Sequence, residues 1–136
     1  MTRELFYLTL TALLTGTLWV PVVIGYVTAR GPLRPQDYRV APTSALPAWV
    51  NRANRAHLNA VESFGPFAAV VLVAAQAHVS TSATAAAAAV YFGSRLAHAV
   101  VHIAGVSVLM LRTVLFTVGW SAVVVIAVEV LRHAGG

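Results

Sequence analysis

Two blocks of side chains in this chain could do chemistry, and both interrupt otherwise apolar segments. The first is Arg52-Ala-Asn-Arg55-Ala-His57-Leu-Asn59-Ala-Val-Glu62. On a helix Arg55, Asn59 and Glu62 stand at i, i+4 and i+7 and share one face within two turns, while His57 points elsewhere. The second block carries Arg95, His98 and His102 at i, i+3 and i+7, again on one face, with Tyr91 one turn before and Arg112 following. Guanidinium groups, imidazoles, an amide and a single carboxylate make a cradle for a polar, anionic ligand rather than a nucleophile–base pair. His98 and His102 also have the i, i+4 spacing of a metal pair, and Glu62 would make a third ligand. The arginines beside them disfavour a cation, so no metal is expected.

A lone arginine in hydrocarbon costs at least about 2.5 to 3.5 kcal/mol on insertion scales, so Arg95 needs a partner. Counting about 1.5 Å of rise per residue along the two helices brings Arg95 and Glu62 to a common level. Asp37 falls in a loop, and Glu4 and Glu129 fall near the far ends, which leaves Glu62 as the expected partner. A purely structural Glu62–Arg95 ion pair is the alternative to a ligand site, but it accounts for neither Asn59 nor the two histidines.

The elements that must position these groups are membrane spans. The 136 residues are 59% hydrophobic and 10% charged, which is far from an ordinary soluble domain. The apolar stretches predict four helices, at about 5–29, 48–77, 82–103 and 111–131, each near the roughly 20 residues that cross a bilayer core. The first is too long for the apolar core of a signal peptide, which is about 7 to 15 residues. Pro21 predicts a bend within it, and Gly16 and Gly25 allow close approach of a neighbour. Pro66 predicts a second bend, in the second helix. Residues 30–49 contain Gly31, Pro32, Pro35, Pro42 and Pro47 and cannot continue a helix. Small residues from Ala85 to Ala89 favour close packing of the third helix.

The net charge of +5 rests on arginine alone, and five of the nine arginines lie between Arg30 and Arg55. By the positive-inside rule the 30–55 region faces the cytoplasm and both termini lie outside. That clustering speaks for topology and against a nucleic-acid partner. The absence of cysteine excludes disulfides and a protein-borne thiol, so any sulfur chemistry must arrive with a ligand.

With these residues in place, the chain resembles the MAPEG family, the membrane-associated proteins of eicosanoid and glutathione metabolism. The resemblance covers nearly the whole chain and is carried by Arg55-Ala-His-Leu-Asn59-Ala-Val-Glu62, Arg95-Leu-Ala-His98 and Arg112-Thr113. It implies an all-α, integral membrane four-helix bundle, one domain over residues 1–136, assembled as a homotrimer. It further implies that Arg55, Asn59, Glu62, Arg95, His98 and His102 hold glutathione, and that Arg112 stabilises its thiolate for attack on a hydrophobic electrophile delivered through membrane lipid. A thiol's ordinary pKa is about 8.5, and each unit of depression requires about 1.4 kcal/mol, which a guanidinium at a helix amino terminus can supply.

The chain departs from eicosanoid-type members at Leu58, where they have a second arginine, and at His102, where they have a tyrosine. These differences point to a divergent bacterial-type branch in an inner membrane. The expected activity is that of a microsomal-type glutathione transferase or peroxidase. The alternatives are a non-catalytic structural or ligand-binding membrane protein and a small proton or ion pathway.

Overall fold

A computed structural model describes residues 1–32, 34–39, 45–108 and 110–134 and is all-helical within them. The chain forms α1 (Arg3–Thr17), α2 (Trp19–Arg30), α3 (Ala48–Gln76), α4 (Ser82–Ala104) and α5 (Leu111–Ala134), with a short 3₁₀ turn at Pro35–Tyr38. Helices α1 and α2 together make one apolar segment, Arg3–Arg30, so the bundle has four long members, as the apolar stretches predicted.

The break between α1 and α2 falls at Leu18, three residues before Pro21. A proline has no N–H to give the carbonyl four residues back, and its ring crowds that carbonyl. The expected bend is thus a real interruption. Gly25 is buried, and a Cβ there would run into the side chains of Val50 and Trp49 on α3, so it does permit the close approach expected of it. Gly16 does not: it is exposed, with nothing near enough to meet a Cβ. Its smallness serves no contact among the described residues.

Helix α3 runs through Pro66 without ending. Pro66 cannot donate to the Glu62 carbonyl, and the next carbonyl, of Ser63, accepts the Tyr91 hydroxyl of α4 at 2.7 Å. Of the residues expected in the 30–49 loop, Pro42 lies outside those described, and Asp37 caps the 3₁₀ turn by accepting from the Arg34 N–H at 2.7 Å.

Three segments, Arg3–Arg30, Ala48–Gln76 and Leu111–His133, are long and apolar enough to cross a membrane. Helix α4 is not among them, and its place in the bundle explains why. Its 23 residues span about 34 Å, but it packs against α1, α3 and α5, and Thr84, Ser94, Arg95 and His98 are all buried. A helix enclosed by other helices can carry polar groups that a lipid-facing one cannot. The main core joins Phe67 and Val71 of α3, Ala88 and Tyr91 of α4, and Ala122 and Ile126 of α5. Phe67 and Tyr91 stack with ring centroids 3.8 Å apart.

Candidate functional site

Helices α3 and α4 bring the two sequence blocks to one end of the bundle, beside the start of α5. Arg95 is 5% exposed. Its Nη2 donates to the Phe116 carbonyl of α5 at 3.0 Å and lies 3.5 Å from that of Leu115. Its Nη1 makes long contacts, at 3.4 Å, with Asn59 Oδ1 and Ser63 Oγ of α3. The guanidinium also lies 4.9 Å from the Phe116 ring centroid and 5.5 Å from that of Tyr91, both close enough for cation–π attraction.

The expected Glu62–Arg95 ion pair is therefore absent. Among the described residues the only salt bridge joins Arg132 and Glu129, near the end of α5. Glu62 is exposed on the outer side of α3, whereas Arg95 is drawn inward, where helix carbonyls and an amide oxygen offer acceptors without the cost of burying a second charge. The common level predicted for the two residues does hold. Both line a cavity of about 290 Å³ with Asn59, Ser63, Phe116 and Trp120.

His98 is buried and His102 is half-buried, and their rings meet edge to face with centroids 5.5 Å apart. Arg112 is the second residue of α5 and is exposed, as is Arg55. Arg52, Arg55, Arg95 and Arg112 make this end of the bundle cationic, and among the described residues Arg55 and Arg112 carry no salt bridge. Two ring or guanidinium nitrogens there, Arg95 Nε and His102 Nδ1, are buried without a hydrogen-bond partner among the described residues. His57, given no role from sequence, has a buried Nδ1 in the same condition.

No group of three His, Cys, Asp or Glu among the described residues could hold a metal. Glu62 stands apart from the imidazoles for the reason given above. What the arrangement can do is attract an anion, donate several hydrogen bonds to it, and stabilise negative charge near the amino end of α5.

Sequence reasoning gave no role to three participants, although Arg52 opens the first block. Ser63 stands one turn beyond Asn59 on the same face, which was a usable signal. Arg52, one turn before Arg55, donates to the Ile103 carbonyl at 3.1 Å. Gly119 leaves the space beside Arg95 on α5, and nothing in the sequence marks it.

Comparison with known proteins bears on the whole chain: the family model described as MAPEG family matches residues 5–132. No curated protein matches it.

Proposed function

The chain belongs to the MAPEG family, and from that membership we propose that it is a membrane-bound glutathione transferase or peroxidase acting on a hydrophobic electrophile. Roles in membrane glutathione or eicosanoid metabolism are general to the family. The finer reading is carried by one observation, a cavity of about 290 Å³ lined by Asn59, Glu62, Ser63 and Arg95 at the end of the bundle that also bears Arg55 and Arg112, neither of them in a salt bridge among the described residues. Such a donor set suits a peptide with two carboxylates, and exposed Glu62 offers a counter-charge for its amino group. The buried, unpartnered nitrogens of Arg95 and His102 fit a polar ligand in the same place.

In this reading Arg55, Asn59, Glu62, Arg95, His98 and His102 bind and orient glutathione. Arg112 holds the sulfur as thiolate, helped by the positive end of the α5 dipole. The electrophile reaches the site from the bilayer, along the exposed Phe116 and Trp120 of α5. The assembly is a homotrimer in a bacterial inner membrane, with α4 as the fourth span, the 30–55 region cytoplasmic and both termini outside. Exposed Arg55 and Glu62 then face a neighbouring subunit across the ligand.

The non-catalytic reading also has an observation in its favour, since Arg95 already finds acceptors inside its own protomer. Calorimetry of the detergent-solubilised protein with glutathione separates the two. Binding that Arg55→Ala and Arg112→Ala weaken supports the site, and conjugation that Arg112→Ala abolishes supports catalysis. No heat at millimolar glutathione sinks the transferase reading.

A further inference from the structure

Helix α4 ends in an unusual amount of backbone definition for a membrane turn. Gly105 is left-handed, at φ 76°. Its N–H bonds the His102 carbonyl at 3.1 Å, and the Val106 N–H bonds the Val101 carbonyl at 3.1 Å. These are the two bonds of a Schellman ending. They leave the Ile103 carbonyl without a backbone donor among the described residues. Arg52 supplies one from a different helix, 51 residues earlier, through its Nε–H at 3.1 Å.

The fit around this bond is close. Arg52 is half-buried, and a Cβ on Gly105 would stand 2.9 Å from its Cζ and its Nε. Glycine at this position therefore answers two demands, a positive φ and a guanidinium against the backbone. A fixed cation at the carboxyl end of α4 also complements the helix dipole. The α4–α5 turn contains a second left-handed residue, Met110 at φ 55°, only two positions before Arg112. A non-glycine residue holds that conformation only where its surroundings over-determine it.

We propose that Arg52 is a positioning residue. It clasps the last turn of α4, and the turn into α5, against the start of α3, and so sets where His98, His102 and Arg112 stand relative to Arg55 and Asn59. Its consequence for thiol chemistry rests on the glutathione reading above, whereas the clasp itself does not. Arg52 acts through the backbone of Ile103 and Gly105, not by touching the sulfur.

The test compares the full-length protein with Arg52→Gln and Arg52→Lys in detergent, by hydrogen exchange and by glutathione binding and turnover. Loss of the clasp is expected to speed exchange of the amides at 103–108 about tenfold in Arg52→Gln, with residues 3–17 of α1 unchanged. Arg52→Lys keeps the charge but not the Nε–H, and is expected to recover only part of the protection. It also serves as the comparison should Arg52→Gln fail to fold. Turnover is expected to fall about tenfold with the glutathione Kd moving less than about threefold, the pattern of a misplaced thiolate stabiliser. Unchanged exchange at 103–108 overturns the clasp, and an equal loss of affinity and turnover overturns positioning in favour of a direct ligand contact. Should the wild type bind no glutathione, the functional reading fails, and exchange alone decides for or against the clasp.

Discussion

Arg95 of α4 fits against Gly119 of α5 so closely that a Cβ on the glycine would stand 2.6 Å from Arg95 Nη2 and 2.7 Å from Ser94 Oγ. The missing side chain is what lets the guanidinium reach the Phe116 carbonyl at 3.0 Å. Gly119→Ala is thus expected to force Arg95 off this acceptor and to destabilise the protein by about 1 to 3 kcal/mol, the usual cost of overpacking. Thermal unfolding in detergent reads the change, and an unaltered midpoint would mean that Arg95 can repack without loss.

Arg95→Ala tests the same junction from the other side. It removes a charge-assisted donor to Phe116, worth about 1.5 to 3 kcal/mol, together with a long contact to Asn59, and is expected to lower stability by at least the first of these. Any loss of glutathione binding in this variant would be shared between ligand and scaffold. Arg55 and Arg112, both exposed and outside the core, are the cleaner probes of the ligand site.

Arg112→Ala is expected to leave stability within about 0.5 kcal/mol, as for other exposed substitutions. Turnover should fall about a hundredfold, in the range for removing one preorganised donor to a developing anion. Steady-state conjugation assays on protein whose unfolding midpoint matches the wild type would check this. Retained turnover would reassign the thiolate stabiliser to another arginine.

At the opposite end of the bundle Glu4 is 2% exposed and accepts hydrogen bonds from Thr84 Oγ1 of α4 and, at 3.1 Å, from Ser80 Oγ. Thr84 also takes part in the capping box that starts α4. Glu4→Ala strands these hydroxyls and is expected to cost about 1 to 3 kcal/mol. Glu4→Gln keeps one acceptor oxygen and should cost less. Equal losses in the two variants would show that the carboxylate charge, not its hydrogen bonds, matters.

Tyr91→Phe separates packing from hydrogen bonding beside Pro66. The ring stack on Phe67 survives, but the bond from the hydroxyl to the Ser63 carbonyl is lost. A loss of about 1 kcal/mol is expected, well short of the 3 to 5 kcal/mol or so for truncating a buried aromatic to alanine. Comparing the unfolding midpoints of Tyr91→Phe and Tyr91→Ala measures both terms.

The sequence by itself determined the parts of this protein that depend on a single helix. Apolar length set the extents of α3, α4 and α5 to within three residues, Pro21 set the break after Thr17, and a period of 3.6 put Arg95, His98 and His102 on one face. Helix rise even brought Arg95 and Glu62 to the same level, as the cavity they share demonstrates. Only the tertiary structure decided who bonds to whom. Arg95 turned to carbonyls of α5 and to Asn59 rather than to Glu62, and Arg52 crossed to the end of α4. The physical reason is that rise and rotation per residue are fixed along one helix, whereas the rotation and offset between two helices are set by packing. Backbone carbonyls are present at every residue and leave no mark in a sequence. Which of them becomes reachable depends on where a neighbour lacks a side chain, and at Gly119 and Gly105 that was visible only once the helices had met.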